Sequence, residues 1–230
     1  MKLIRHNPAS VTLEISSAST EKLSVMLSSD IHFDSSICDI DLYKKHLKIA
    51  EEHQAPVIIA GDFFDAMQGR DDPRRSIEEL KAKYKVGEYF DALVLDASDF
   101  LQKYKGIPYF ILALGNHETS VLNKINTNLI ERLAYDLRMH NVKAEAMGYW
   151  GYIRFQFKYK KGGGSASKML YFHHGVSTSA PVTKGVIQVA RQAAYIHDAD
   201  FVLNGHNHQS YVMPQPVERL DQYMKPYTET

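Results

Sequence analysis

The sequence repeats one arrangement five times, in which an apolar segment ends in a cluster of Asp, Asn, His and Gly residues. The apolar segments are typical of buried strands, and helical patterns lie between several of them. Alternating strands and helices predict an α/β fold, and in open α/β sheets ligands bind at the carboxyl ends of the strands. We therefore expect the clusters to meet at one edge. They are Asp30-Ile-His32, Gly61-Asp-Phe-Phe-Asp65, Gly115-Asn-His-Glu118, His173-His-Gly175 and Gly205-His-Asn-His208.

These clusters contain the side-chain types that bind metal ions in proteins. Carboxylate, amide and imidazole groups together suit Mn²⁺, Fe or Zn²⁺, and a carboxylate can bridge two cations about 3.5–4 Å apart. Each cluster alone also has an ordinary explanation, because Asp after a strand often forms a turn and Asn116 is a suitable helix cap. The combination of all five, each after an apolar segment, favours a two-metal site.

Composition limits the class of protein. The 230 residues are enough for one domain, which we predict to span 1–230. Lys and Arg number 27, as do Asp and Glu, and this balance excludes binding to nucleic acid by net charge alone. The single cysteine, Cys38, excludes an intrachain disulfide. No apolar run reaches the ~18 residues of a membrane span, and the first ten residues lack a secretory signal, so we expect a cytoplasmic protein without membrane contact.

The order D-x-H, G-D-x-x-D, G-N-H-[D/E], H-G and G-H-x-H resembles the calcineurin-like metallophosphoesterases, from about Leu23 to His208. The resemblance implies a four-layer α/β/β/α sandwich that holds two divalent metal ions, most often Mn, with Fe or Zn as alternatives. In the family the fourth motif's ligand directly precedes glycine, which favours His174 over its neighbour His173. The implied metal ligands are Asp30, His32, Asp62 (shared by both ions), Asn116, His174, His206 and His208.

The resemblance also implies how these residues act. Hydroxide held between the two metals attacks phosphorus, and His117 protonates the leaving oxygen or stabilises the transition state. Glu118 is implied to orient His117, and Asp65 is implied to fix the metal site from outside the ligand shell.

Two positions narrow the substrate class. Phosphoprotein phosphatases and dinucleoside-tetraphosphate hydrolases of this superfamily carry arginines where this chain has Ala66 and Leu114. Its G-D-x-F-D motif is closer to those of repair nucleases and general phosphodiesterases, whose diesters carry a single negative charge. We therefore predict a phosphodiesterase, with nucleic acids and nucleotides as candidate substrates. A phosphomonoesterase and a catalytically silent metal-binding scaffold are the alternatives, and the sequence carries no signal for the oligomeric state.

The segment at about 70–105 is predicted to be a helical insertion between the second and third motifs. Its cations and tyrosines, among them Arg70, Lys81, Tyr84 and Tyr89, suit the phosphates and bases of a substrate. Its acidic residues offset the cations, and this balance favours an ordinary solvated helical face instead.

Two predictions concern the rest of the chain. Apolar residues at helical spacing predict one helix through Leu122, Ile125, Leu129, Leu133 and Leu137. The tail from Met213 shows no strong pattern, and its shortness fits either a short member of the family or a truncated one.

Overall fold

The computed structural model describes residues 1–17, 22–66, 80–159, 164–175, 186–208 and 212–229. These ranges form two large sheets, a small hairpin and a set of helices. The strands are β1 (Lys2–Asn7), β2 (Ser10–Ser17), β3 (Met26–Ser28), β4 (Val57–Ile59), β5 (Phe110–Ala113), β6 (Ala144–Met147), β7 (Trp150–Tyr159), β8 (Ser165–His173), β9 (Phe201–Asn204), β10 (Val217–Leu220) and β11 (Pro226–Glu229). The helices are α1 (Ile40–Glu52), α2 (Tyr89–Leu101), α3 (Asn116–Ile125), α4 (Leu129–Met139) and α5 (Val186–Tyr195).

The first large sheet is parallel and contains β3, β4, β5 and β6 in chain order. Side chains of β4 alternate between two cores: Val57 and Ile59 pack among helices, whereas Ile58 and Ala60 face the other sheet. This alternation follows from the pleat of a strand. Because both faces are covered, the strand is apolar at every position, as its sequence predicts.

The second large sheet is mixed and has the order β1-β2-β7-β8-β9. Strand β2 runs parallel to β7, and β8 runs parallel to β9, whereas β7 and β8 are antiparallel. Its inner face contributes Leu13, Ile153 and Phe172 to a core shared with Ile58 and Ile111 of the parallel sheet. The two sheets therefore pack face to face.

Helices cover the other face of the parallel sheet. Leu47 of α1, Leu93 of α2 and Leu133 of α4 are fully buried in one core with Val57 and Phe110. Asp39 caps α1, because its carboxylate accepts the backbone N–H of Leu42 at 3.0 Å. The predicted α/β class is confirmed. None of the described helices combines the length and apolar character needed to cross a bilayer.

The single helix predicted through Leu122 and Leu137 is wrong, because two helices occupy this stretch. Helix α3 ends at Ile125, and the next residue, Asn126, has a left-handed φ of 54°, a conformation that asparagine tolerates better than most residues. Asn128 then caps α4 by accepting the backbone N–H of Glu131 at 3.0 Å. The apolar spacing continues across the break, and only the asparagines mark it.

Two other segments differ in detail from expectation. The tail after Met213, which has no strong sequence pattern, contains the antiparallel hairpin of β10 and β11. The predicted helical segment at 70–105 is described from residue 80 onward, and residues 70–79 lie outside the described residues. In the described part, α2 begins two residues after Gly87 and buries Leu93 and Leu101 against the sheet.

The helical layer supplies a test of this packing. Leu93 is fully buried on α2, whereas Leu95 on the same helix is 57% exposed. We expect Leu93→Ala to lower the free energy of unfolding by about 3 kcal/mol, because it leaves a cavity. Leu95→Ala should lower it by less than about 0.5 kcal/mol. Urea denaturation of both variants measures the difference, and equal losses would contradict the assignment of the buried face.

Candidate metal centre

The five clusters lie together at one edge of the two sheets. Three follow the carboxyl ends of β3, β4 and β5 in the parallel sheet, and two follow β8 and β9 in the second sheet. Contacts between the sheets are direct: the ring nitrogen Nδ1 of His174 lies 2.8 Å from the carbonyl oxygen of Ala60. The backbone N–H of His206 donates to both carboxylate oxygens of Asp30, at 3.1 and 2.9 Å.

A first group of candidate ligands contains Asp30, His32 and His208, whose ligand atoms lie within 4.8 Å of one another. The Nε2 atom of His32 is buried and has no hydrogen-bond partner among the described residues. Buried polar atoms in native proteins are nearly always paired, so this nitrogen fits a metal ion. Burial lowers the pKa of His32, but the Asp65 carboxylate, 3.2 Å from Nδ1, and the charges of Asp62 and Asp30 outweigh burial and raise it overall.

A second group contains Asp62, His174 and His206, again within 4.8 Å. Because a carbonyl oxygen only accepts, the 2.8 Å contact with Ala60 assigns the proton of His174 to Nδ1. Its other nitrogen, Nε2, then points a lone pair at the Asp62 carboxylate oxygen Oδ2, 3.0 Å away. Two acceptors at this distance need a proton or a cation between them. The donor set therefore fits a divalent metal ion.

The electrostatics of this pair are consistent with that requirement. Burial raises the pKa of the Asp62 carboxyl. The hydrogen bond and charge of His174 and the charge of His117 outweigh burial, so the pKa is lowered overall. Burial lowers the pKa of His174, and the Asp62 carboxylate reverses this and raises it. Burial, and then the charge of His174, lower the pKa of His206, which favours the neutral ring that binds metal.

The two histidines of the fourth cluster differ in their surroundings. His174 is fully buried and faces Asp62, and its Nε2 also lies 3.0 Å from Oδ1 of Asn116. His173 instead accepts the backbone N–H of Gly175 through Nδ1 at 2.9 Å. Of the two, the geometry favours His174 as the ligand.

His117 stands at the start of α3, 8% exposed, beside both groups. Its backbone N–H donates to the Asp62 carboxylate oxygen Oδ1 at 3.0 Å. Its Nδ1 lies 2.6 Å from the carbonyl oxygen of Asp65, so Nδ1 carries a proton and Nε2 is the free position. A third group of potential ligand atoms joins His117 with His32 and Asp65.

Glu118 is fully buried and acts on the backbone rather than on the ring of His117. Its carboxylate accepts the N–H groups of Asp62, Phe64 and Gly115 at 3.2, 2.8 and 2.8 Å. Burial and the charge of Asp62 raise the pKa of Glu118 to about 7. The resemblance implied that Glu118 orients His117, whereas the contacts of His117 described above are with Asp65 and Asp62.

Five candidate site residues have left-handed backbone conformations. This conformation costs a non-glycine residue roughly 1–2 kcal/mol, and such strain collects at functional sites. The described residues include five other non-glycine residues of this kind, one of which, Ala66, directly follows Asp65. The φ values are 56° for Asp30, 46° for His32, 49° for Asp62, 73° for His206 and 50° for His208.

Two residues at the site were missed by the sequence analysis. Asp34 is 1% exposed, and burial raises the pKa of its carboxyl although hydrogen bonds from the Ala66 and Asp65 amides lower it. Tyr149 donates its hydroxyl to the carbonyl oxygen of Gly175 at 2.8 Å. The signals available were a third polar residue two positions after D-x-H, and a tyrosine directly after Gly148 at the end of β6.

Comparison with known proteins agrees with this geometry. The model of the calcineurin-like phosphoesterase family matches residues 23–210, which is most of the chain and includes all five clusters. A search of curated protein sequences found no significant match. The family match supports metal-dependent hydrolysis of phosphoesters, and the groups of candidate ligands fit that chemistry.

The close approach of two loops gives a first test of the site. A Cβ atom at Gly115 would overlap the backbone nitrogen and carboxylate of Asp62, whereas one at Gly148 would approach nothing closer than 3.9 Å. We expect Gly115→Ala to weaken Mn²⁺ binding at least about tenfold, because it displaces a ligand. Gly148→Ala is the matched control and should change binding less than about twofold. Calorimetric titration of chelator-treated protein measures both, and unchanged binding in Gly115→Ala would contradict the geometry.

The histidine doublet gives a second test. We expect His174→Ala to weaken Mn²⁺ binding at least about tenfold, because it removes a nitrogen that faces Asp62. His173→Ala removes the acceptor for the Gly175 amide and ring contacts with Tyr149 and Tyr171, and it should change binding less than about threefold. Stronger loss in His173→Ala than in His174→Ala, measured by the same titration, would assign the ligand to the other histidine.

Proposed function

Because the chain belongs to the calcineurin-like phosphoesterase family, we propose that it hydrolyses phosphodiesters with two divalent metal ions, most favourably Mn²⁺. The observation that carries this proposal is the convergence of two three-residue groups of candidate ligands beside His117. Nucleic acids and nucleotides are the proposed substrate classes.

The ligand sets are proposed as the family resemblance implies them. When bound, the ions would supply Lewis acidity and would allow a bound water to ionise near neutral pH. The orphaned Nε2 of His32 and the facing acceptors of His174 and Asp62 support the two positions. The first ion would be held by Asp30, His32, Asp62 and His208, and the second by Asp62, Asn116, His174 and His206.

We assign His117 the role of proton donor to the leaving oxygen. Its Nδ1 proton is committed to the Asp65 carbonyl, so Nε2 is the nitrogen that can exchange a proton with a substrate. The backbone bond to Asp62 keeps the ring beside the metal positions. Glu118 is assigned a positioning role, because its carboxylate joins the loops that carry Asp62 and His117.

The preference for a diester rests on charge. Ala66 and Leu114 occupy the positions at which phosphatases of the superfamily grip a doubly charged phosphate with arginine. A diester carries one negative charge, which two cations and one imidazole can neutralise without those arginines. A phosphomonoesterase and a catalytically silent scaffold are therefore outcomes that the test below has to separate.

We also propose that the chain is one domain with the four-layer α/β/β/α arrangement of the family, and that it works in the cytoplasm. Tyr171 of β8 points away from the core between the sheets, yet it is only 7% exposed. Burial, and then the nearby Tyr195 of α5, raise the pKa of Tyr171 to about 12. This proximity supports α5 as the fourth layer.

The function is tested by comparing hydrolysis of bis-p-nitrophenyl phosphate with that of p-nitrophenyl phosphate in the presence of Mn²⁺. We expect the diester to be cleaved faster. Asp62→Asn and His117→Ala should each lower kcat at least about a hundredfold, because one loses a shared ligand and the other the proton donor.

Ser98→Ala, a buried change in α2, is the control and should keep the activity of the parent. Faster cleavage of the monoester would indicate a phosphomonoesterase and would leave the proposed metal site unchanged. An absence of turnover with two ions still bound would favour the scaffold.

A further inference from the structure

We propose that Asp34 is a positioning residue for His117 and acts through the backbone of Asp65 and Ala66. The effect on turnover rests on the proposed function, since it requires His117 to be the proton donor. The structural part of the proposal, that Asp34 fixes the ring and protonation pattern of His117, stands without it.

The first observation is that backbone pairing between two loops stops just before Asp34. Beyond the last residues of β3 and β4, the N–H groups of Asp30, His32 and Phe33 still donate to the carbonyl oxygens of Gly61, Asp62 and Phe63, at 3.1, 3.1 and 2.7 Å. At Asp34 the side chain, rather than the backbone, connects the two loops. Its oxygens accept the backbone N–H groups of Asp65 at 2.7 Å and of Ala66 at 3.0 Å.

The second observation is what those two amides control. The carbonyl oxygen of Asp65 is the acceptor for Nδ1 of His117, and its carboxylate oxygen Oδ1 lies 3.2 Å from Nδ1 of His32. Ala66 has a left-handed φ of 49°, a conformation that alanine adopts only when its surroundings hold it there. Asp34 therefore fixes the residue whose carbonyl decides which nitrogen of His117 carries the proton.

The third observation concerns the burial and hydrogen bonding of Asp34, which anchors the turn at Asp65 and Ala66. Asp34 is 1% exposed, and a third donor, the hydroxyl of Tyr89 on α2, completes its hydrogen bonding at 3.0 Å. Hydrogen bonds to a buried carboxylate are stronger than those between neutral groups, and losing one partner leaves the other unsatisfied. The anchor is rigid and reaches from the helical layer to the edge of the site.

These contacts predict a specific defect for Asp34→Asn. Asparagine has the shape of aspartate, but its NH₂ group would face one of the two backbone donors. We expect the turn at Asp65 and Ala66 to loosen while the candidate metal ligands stay in place. Proton delivery should therefore suffer, and binding of metal and substrate should not.

The kinetic test uses two diesters with different leaving groups. For diphenyl phosphate, whose phenolate leaves poorly, we expect Asp34→Asn to lower kcat at least about tenfold. For bis-p-nitrophenyl phosphate, which needs less help from an acid, the loss should be under about threefold. KM and the Kd for Mn²⁺ should each change by less than about threefold, which separates positioning from a general loss of structure.

A double-mutant cycle tests the path of the effect. In a His117→Ala background, Asp34→Asn should change kcat for diphenyl phosphate by less than about twofold, because its target is gone. Tyr89→Phe keeps both backbone bonds and should lower kcat by less than about threefold. An undiminished loss in the His117→Ala background, or an equal loss in Tyr89→Phe, would overturn the proposal.

Two measurements decide the structural part without turnover. In the parent protein, the amides of Asp65 and Ala66 should exchange hydrogen as slowly as amides of β4, and nitrogen spectra should show the proton of His117 on Nδ1. Both properties should be lost in Asp34→Asn. Fast exchange of these amides in the parent would overturn the proposal even if the variant does not fold. If no phosphoester is hydrolysed at all, the proposed function fails, and these two measurements still decide the role of Asp34.

Discussion

The loops at the edge of the sheets are held together by carboxylates that accept backbone N–H groups from a neighbouring loop. Each such bond joins two segments that the chain itself brings to the edge separately, and hydrogen bonds to a charged group contribute roughly 1.5–3 kcal/mol each. Together they connect the loops that follow β3, β4, β5 and β9. The bonds run from the amide of His206 to Asp30, from Asp65 to Asp34, from His117 to Asp62, and from Phe64 to Glu118.

This arrangement concentrates negative charge and strain that the rest of the fold must offset. Glu118 and Asp62 lie so close that the charge of Asp62, after burial, raises the pKa of Glu118. The left-handed residues at the site add roughly 1–2 kcal/mol each. Directly beneath them, Phe63 and Phe64 are fully buried in the core shared with the helices. Burial of these rings holds the loop that carries Asp62 and Asp65, and cations at the site would offset the repulsion between its carboxylates.

The sequence was informative where residue type alone determines the outcome. Buried strands ending in Asp, Asn and His were expected to meet at one edge of an α/β sheet, and they do. The family resemblance, in which the ligand of the fourth motif precedes glycine, favoured His174, and this is the fully buried histidine of the pair. The sequence was uninformative where the end of a helix or the direction of a side chain depends on the local backbone conformation. Asn126 breaks a helix whose apolar spacing continues unchanged. Glu118 follows His117 in sequence, yet the helical turn directs its carboxylate to backbone amides. Asp34 extends the D-x-H motif by one polar residue, but its role could not be predicted, because its partners are amides 31 and 32 residues away.

The described part of the segment between the second and third motifs includes α2 and contacts the loops of the site. Tyr84 and Tyr89 cannot stack on a base, because they are 1% and 8% exposed and donate their hydroxyls to Asp96 and Asp34. Lys81 donates to the carbonyl oxygen of Phe33 at 2.9 Å, which ties it to the loop after β3. The described part of this segment therefore stabilises the loop after β3, which carries the candidate ligands Asp30 and His32.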